Sequence, residues 1–73
     1  MTRETFVAEL DRQVKLVRTE YGFTQDVMAR VLGISKKTLV EIEKGRSSLG
    51  WTGAVALCSI FSGSQVLSGL LGG

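Results

Sequence analysis

The residues with most to say about chemistry are Gly33-Ile34-Ser35-Lys36-Lys37-Thr38-Leu39-Val40-Glu41-Ile42-Glu43-Lys44-Gly45. Ser35 is a good helix N-cap, which puts Lys36 and Lys37 in the first turn of a helix. That end of a helix carries a partial positive charge and favours Asp and Glu, so adjacent lysines oppose the dipole. Two explanations stand. Water screens both lysines at small cost, or an anion outside the chain compensates them. Unpaired N–H groups at the helix end would assist such an anion, because they and the ammonium groups attract the same charge.

Other chemistry is poorly served. The chain has no histidine, and its single cysteine, Cys58, lies in an apolar stretch without a base partner. Cys58 therefore reads as a small buried hydrophobe. No residues have metal-ligand spacing. The glycines near the C-terminus do not follow a strand and form no phosphate loop. The expectation is a non-enzymatic protein with no catalytic residue, no metal, no cofactor and no evident small-molecule ligand.

Composition adds bounds. The 73 residues suit one small domain, residues 1–73, with a modest core. One cysteine allows no internal disulfide, so stability must come from helix packing or a partner. The absence of proline suits an all-α chain. Residues 1–23 mix charged and apolar residues without a continuous apolar core of the kind a secretory signal needs, so the expected compartment is the reducing cytoplasm.

The net charge of +2 is unevenly spread. In residues 1–23, Arg3, Arg12, Lys15 and Arg18 balance Glu4, Glu9, Asp11 and Glu20. In residues 24–46, Arg30, Lys36, Lys37, Lys44 and Arg46 outnumber Asp26, Glu41 and Glu43, which leaves the whole +2 there. Residues 47–73 carry no charge. A local basic surface is one mark of a nucleic-acid site.

The elements that would position these residues are helices. Phe6, Val7, Leu10, Val14, Val17 and Tyr21 recur at steps of three and four, which predicts a first helix over about residues 3–21. Thr2 can cap its start, and Gly22 suits the position past its end. Thr24 caps a second helix with Asp26 in its first turn and Val27, Met28, Val31 and Leu32 facing inward. Phe23 with Met28, and Ile34 with Leu39, have hydrophobic-staple spacing. Gly33 ends the second helix, Ser35 caps a third with Leu39 and Ile42 buried, and Gly45 ends that one. A fourth helix places Trp51, Ala54, Val55, Cys58 and Phe61 on one face. A short fifth, capped by Ser64, carries Val66, Leu67, Leu70 and Leu71.

Residues 23–45, Phe-Thr-Gln-Asp-Val-Met-Ala-Arg-Val-Leu-Gly-Ile-Ser-Lys-Lys-Thr-Leu-Val-Glu-Ile-Glu-Lys-Gly, resemble the helix-turn-helix of the phage repressor and Cro type, also called XRE type. Thr24-Gln25 opens the second helix, Ala29 packs under the turn, and Gly33-Ile34-Ser35 forms it. Glycine, alanine and isoleucine at fixed offsets across a turn form a fairly specific pattern. The resemblance implies a compact bundle of five short helices with the helix-turn-helix unit at about residues 24–45. It also implies a sequence-specific regulator of transcription that binds double-stranded DNA, most often a repressor acting as a homodimer. The chain departs from the family at Ser48-Leu49-Gly50, where an Asn-Pro-Ser type segment is usual, and in the absence of lysines on the fourth helix.

In such a unit the third helix lies in the major groove. The resemblance then makes Lys36, Lys37, Val40 and Glu41 base readers. The lysines would face guanine acceptors or phosphates, Val40 a thymine methyl, and Glu41 a cytosine amino group. Each also has a plainer reading, as a solvated or flank-packed residue. Thr24, Gln25, Ser35, Lys44, Arg46, Ser47 and Ser48 would bind phosphate, which positions the protein without reading sequence. The family pattern further pairs Glu43 with Arg18 in a structural ion pair.

The uncharged stretch 49–73 has competing uses beyond core packing. One is dimerisation, with Leu57, Ile60, Leu67, Leu70 and Leu71 as the interface. Another is a heterologous partner protein, as in an antitoxin-like module built on the same fold. The span from Leu49 to Leu71 is also long enough to cross a membrane, but its glycines, serines and glutamine argue against that.

Overall fold

The first three helices of the protein start by one device. In the computed structural model, which describes residues 1–70, Thr2, Thr24 and Ser35 sit in extended backbone just ahead of a helix. Their hydroxyls accept the N–H of Thr5, Val27 and Thr38 at 3.1, 3.2 and 3.0 Å. They open α1 (Arg3–Glu20), α2 (Gln25–Leu32) and α3 (Lys36–Glu43). Each cap satisfies an N–H that the helix cannot, an interaction typically worth ~1 kcal/mol.

The α2–α3 turn depends on Gly33. Its φ of 73° lies in the left-handed region, where L side chains are strained. That conformation lets the Gly33 N–H reach the Arg30 carbonyl at 3.2 Å and the Ile34 N–H reach the Ala29 carbonyl at 3.0 Å. Ile34 alone separates Gly33 from the next cap, so α3 leaves α2 at once. The same paired closure follows α3, where the Gly45 and Arg46 N–H groups donate to Ile42 and Glu41 at 3.0 and 2.8 Å.

These helices meet around one buried cluster. α1 contributes Leu10, Val14 and Val17, α2 contributes Met28 and Ala29, and α3 contributes Leu39 and Ile42. Ala54, Leu57, Phe61 and Leu67 come from the C-terminal third, and every member of the cluster is at most 3 % exposed. Tyr21 packs edge-on against Phe61, with ring centroids 4.9 Å apart, although 39 % of Tyr21 remains exposed.

The last two helices are tied down by carboxylates of the first. α4 (Gly50–Ile60) follows Leu49, which offers no side-chain cap. Instead Asp11 accepts the Leu49 N–H at 2.8 Å and the Ser48 hydroxyl at 2.7 Å. α5 (Gln65–Leu70) is capped by Ser64, whose Oγ accepts the Leu67 N–H at 3.1 Å and donates to Glu20 at 2.5 Å. Glu20 also accepts the Gln65 N–H at 2.6 Å. These bonds, the Ser64 hydroxyl first, hold the Glu20 carboxyl below its ordinary value.

Four expectations about burial are corrected. Leu57 and Leu67 are 0 % and 3 % exposed, so they belong to the core and not to a dimer interface. On α4, Ala54, Leu57 and Phe61 point inward, while Trp51 and Val55 are 45 % and 41 % exposed. The cause is the rotation of α4, fixed at its end by Phe61 against Tyr21 and Phe23. On α2, Ala29 takes the inner place and Val31 is exposed. Ile60 is 48 % exposed and Leu70 is half-buried, while Leu71 lies outside the described residues. Cys58 is half-buried, and burial pushes its thiol up, which keeps it protonated. Among the described residues no helix is long and apolar enough to cross a membrane.

Candidate nucleic-acid interface

One surface gathers the basic residues of α3 and the loop after it. Lys36 and Lys37 are exposed at the start of α3, with Val40 and Glu41 half-buried about one turn on. Lys44, Arg46 and Ser47 are exposed beyond its end. The two lysines are not equivalent. Lys36 Nζ lies 3.7 Å from the Asp26 carboxylate, across the turn on α2, while Lys37 meets no carboxylate within 4.0 Å among the described residues. Asp26 thus offsets one of the two charges that oppose the α3 dipole, and Lys37 is left to solvent. At the other end Arg46 approaches Glu41 only loosely, at 4.0 Å.

Behind this surface a polar network fixes the angle of α3. Arg18 Nε donates to Glu43 Oε2 at 2.7 Å, and a second guanidinium N–H donates to Oε1 at 3.2 Å. Such a two-pronged pair is directional as well as strong. Gln25 Nε2 donates to the same Oε1 at 3.1 Å, and Arg18 donates to the Phe23 carbonyl at 3.1 Å. The Arg18 and Glu43 side chains are only 14 % and 5 % exposed. The network therefore joins α1, the α1–α2 turn, α2 and α3 in one rigid unit.

The residues that the resemblance assigns to phosphate divide into groups. Lys44, Arg46 and Ser47 are exposed, Arg46 with the loose approach to Glu41 at 4.0 Å. Thr24 accepts its own helix N–H and keeps its hydroxyl proton for another acceptor, while Ser35 accepts the Thr38 N–H and donates its proton to the Thr38 hydroxyl at 2.9 Å. Gln25 is engaged with Glu43, and Ser48 donates to Asp11, so both have internal partners that the sequence pattern did not reveal. Sequence reasoning also missed Asp11 and Asp26. No local signal marks either, because Asp11 acts on residues more than thirty positions away and Asp26 across a turn.

A family model described as helix-turn-helix matches residues 14–50, from the middle of α1 through the loop after α3. The chain belongs to the helix-turn-helix family of XRE type, whose members are DNA-binding regulators of transcription. No curated protein and no solved structure gives a significant match.

Proposed function

We propose that the protein is a sequence-specific repressor that occupies its operator as a homodimer, with α3 in the major groove of double-stranded DNA. The observation that carries this reading is the cationic edge of α3, with Lys36 and Lys37 at one end and Lys44 and Arg46 at the other, set on a rigid helix-turn-helix. Lys37 is the principal base reader, with Val40 and Glu41 beside it and Lys36 steered by Asp26. Lys44, Arg46, Ser47 and the Thr24 hydroxyl meet the phosphates, and Ser35 does so only by giving up its bond to the Thr38 hydroxyl. Gln25 reaches a phosphate only by sharing its amide with Glu43. Two copies are needed to read two half-sites about one helical turn apart, and Ile60 and Leu70 supply apolar surface for pairing.

A second reading has its own support. Trp51, Val55 and Ile60 are exposed apolar residues on an uncharged helix, which suits a partner protein of the antitoxin-target kind. Binding to DNA from upstream of the protein's own gene, across a salt series, separates the two. Tight binding that falls with salt and loses its preference over random DNA in Lys37→Ala supports the repressor. Equal, weak binding to every DNA points to the protein partner.

A further inference from the structure

Asp11 lies on α1, ahead of the stretch that matches the family, yet both its carboxylate oxygens serve the loop after α3. One accepts the Ser48 hydroxyl at 2.7 Å and the other the Leu49 N–H at 2.8 Å. The Ser48 oxygen in turn accepts the Gly50 N–H at 3.0 Å. The upstream end of the loop is closed by the Gly45 and Arg46 N–H groups on α3 carbonyls. Between these anchors stand Arg46, its side chain 69 % exposed, and the exposed Ser47.

We infer that Asp11 is a positioning residue for DNA binding: it fixes the Arg46–Leu49 loop so that Arg46 and Ser47 reach the phosphate backbone already ordered. The inference rests on the phosphate role of this loop given above. Ordering a loop before binding removes an entropic cost that would otherwise weaken the complex. The sign of the effect is diagnostic. A carboxylate near DNA normally repels phosphate, so its removal should tighten binding. A positioning carboxylate does the opposite.

Binding to a short random-sequence duplex, measured by fluorescence anisotropy over a salt series, tests this. The proteins are the wild type, Asp11→Ala, Asp11→Asn, Arg46→Ala and the double variant Asp11→Ala/Arg46→Ala, each checked for helix content under the assay conditions. Without the clamp Arg46 no longer holds its phosphate contact, so Asp11→Ala should bind about eightfold more weakly at about 0.1 M salt, and its salt slope should fall by about one. Asp11→Asn keeps one acceptor oxygen and should lie between. The double variant should be only slightly weaker than Arg46→Ala alone, by what Ser47 contributes, and well short of the sum of the two single losses. A folded Asp11→Ala that binds as well as the wild type or better, or losses that simply add, overturns the inference. Should Asp11→Ala not fold, Ser48→Ala removes half of the clamp from an exposed position. It should weaken binding in the same direction, and unchanged binding by that variant overturns the inference too. If Arg46→Ala alone leaves affinity and slope untouched, the phosphate role of the loop is wrong, and the positioning role falls with it.

Discussion

Replacing Glu43 by glutamine keeps the shape of the side chain and removes its charge, which isolates the network under α3. In the wild type the Glu43 carboxylate receives three N–H donors, two from Arg18 and one from Gln25. Glutamine offers one acceptor oxygen and turns an NH2 group toward donors. Exposed ion pairs contribute about 0–1 kcal/mol, but removing one partner of a buried pair costs ~3–5 kcal/mol. Arg18 is 14 % exposed and keeps its bond to the Phe23 carbonyl, so the lower end, about 3 kcal/mol, is expected. A domain of this size is typically stable by roughly 4–11 kcal/mol, which makes that loss severe. With a urea slope near 1 kcal/mol/M, the midpoint should fall by roughly 3 M.

The assay is urea unfolding followed by far-ultraviolet circular dichroism, on Glu43→Gln, Arg18→Met and the double variant. Once one partner is gone the other has less to lose, so the double variant should fall short of the sum by more than about 1 kcal/mol. The loss should persist at about 1 M salt, because a buried pair is little screened. Reversing both charges (Arg18→Glu with Glu43→Arg) should fold better than either single reversal. It should stay below the wild type, since the carboxylate introduced on α1 would face the Phe23 carbonyl. Additivity within about 0.5 kcal/mol, or a double reversal as damaged as the singles, would refute the reasoning.

Four further outcomes are expected. Lys37→Ala should lower DNA affinity more than Lys36→Ala, and Asp26→Asn should raise it by freeing Lys36; equal effects in a salt-series titration would show that the Asp26 contact does not matter. Gly33→Ala should cost about 1–2 kcal/mol in chemical unfolding, purely from its positive φ, because a Cβ there meets nothing within 4 Å. Glu20 has a depressed carboxyl, so its contribution is complete above the ordinary value of 4.5 and is lost as pH falls below that through the folded value; the stability gap between wild type and Glu20→Gln should therefore narrow in acid, and parallel pH profiles would exclude the α5 anchor. If the chain pairs through Ile60 as proposed, Ile60→Glu should leave the fold intact, because the residue is half exposed, yet shift sedimentation from dimer to monomer; a wild type that sediments as a monomer, or a variant that stays dimeric, overturns that interface.

Much of this architecture is legible because its causes are local. Thr2, Thr24, Ser35 and Ser64 announce helix starts, and Gly33 and Gly45 announce ends, since caps and left-handed turns involve residues a few positions apart. The spacing of Leu10, Val14 and Val17 marks the inner face of α1 for the same reason. On α4 periodicity fails. Nearly every side of that helix is apolar or small, so spacing does not choose between Leu57 and Val55, and Trp51, expected on the inner face, is nearly half exposed.

The sequence by itself determined the helical class, the tight turn, the basic third and the place of Lys36 and Lys37 in the first turn of α3. Its local chemistry is enough for each. Tertiary structure decided which uncharged residues form the core, because the rotation of α4 is set by Phe61 against aromatic rings from distant positions. It also decided which polar groups are free to meet DNA. Lys36 and Lys37 look alike in the chain, and Ser47 and Ser48 look alike, but Asp26 holds one lysine and Asp11 holds one serine. Those pairings follow from the packing of α1, α2 and α3, and no spacing rule along the chain encodes them.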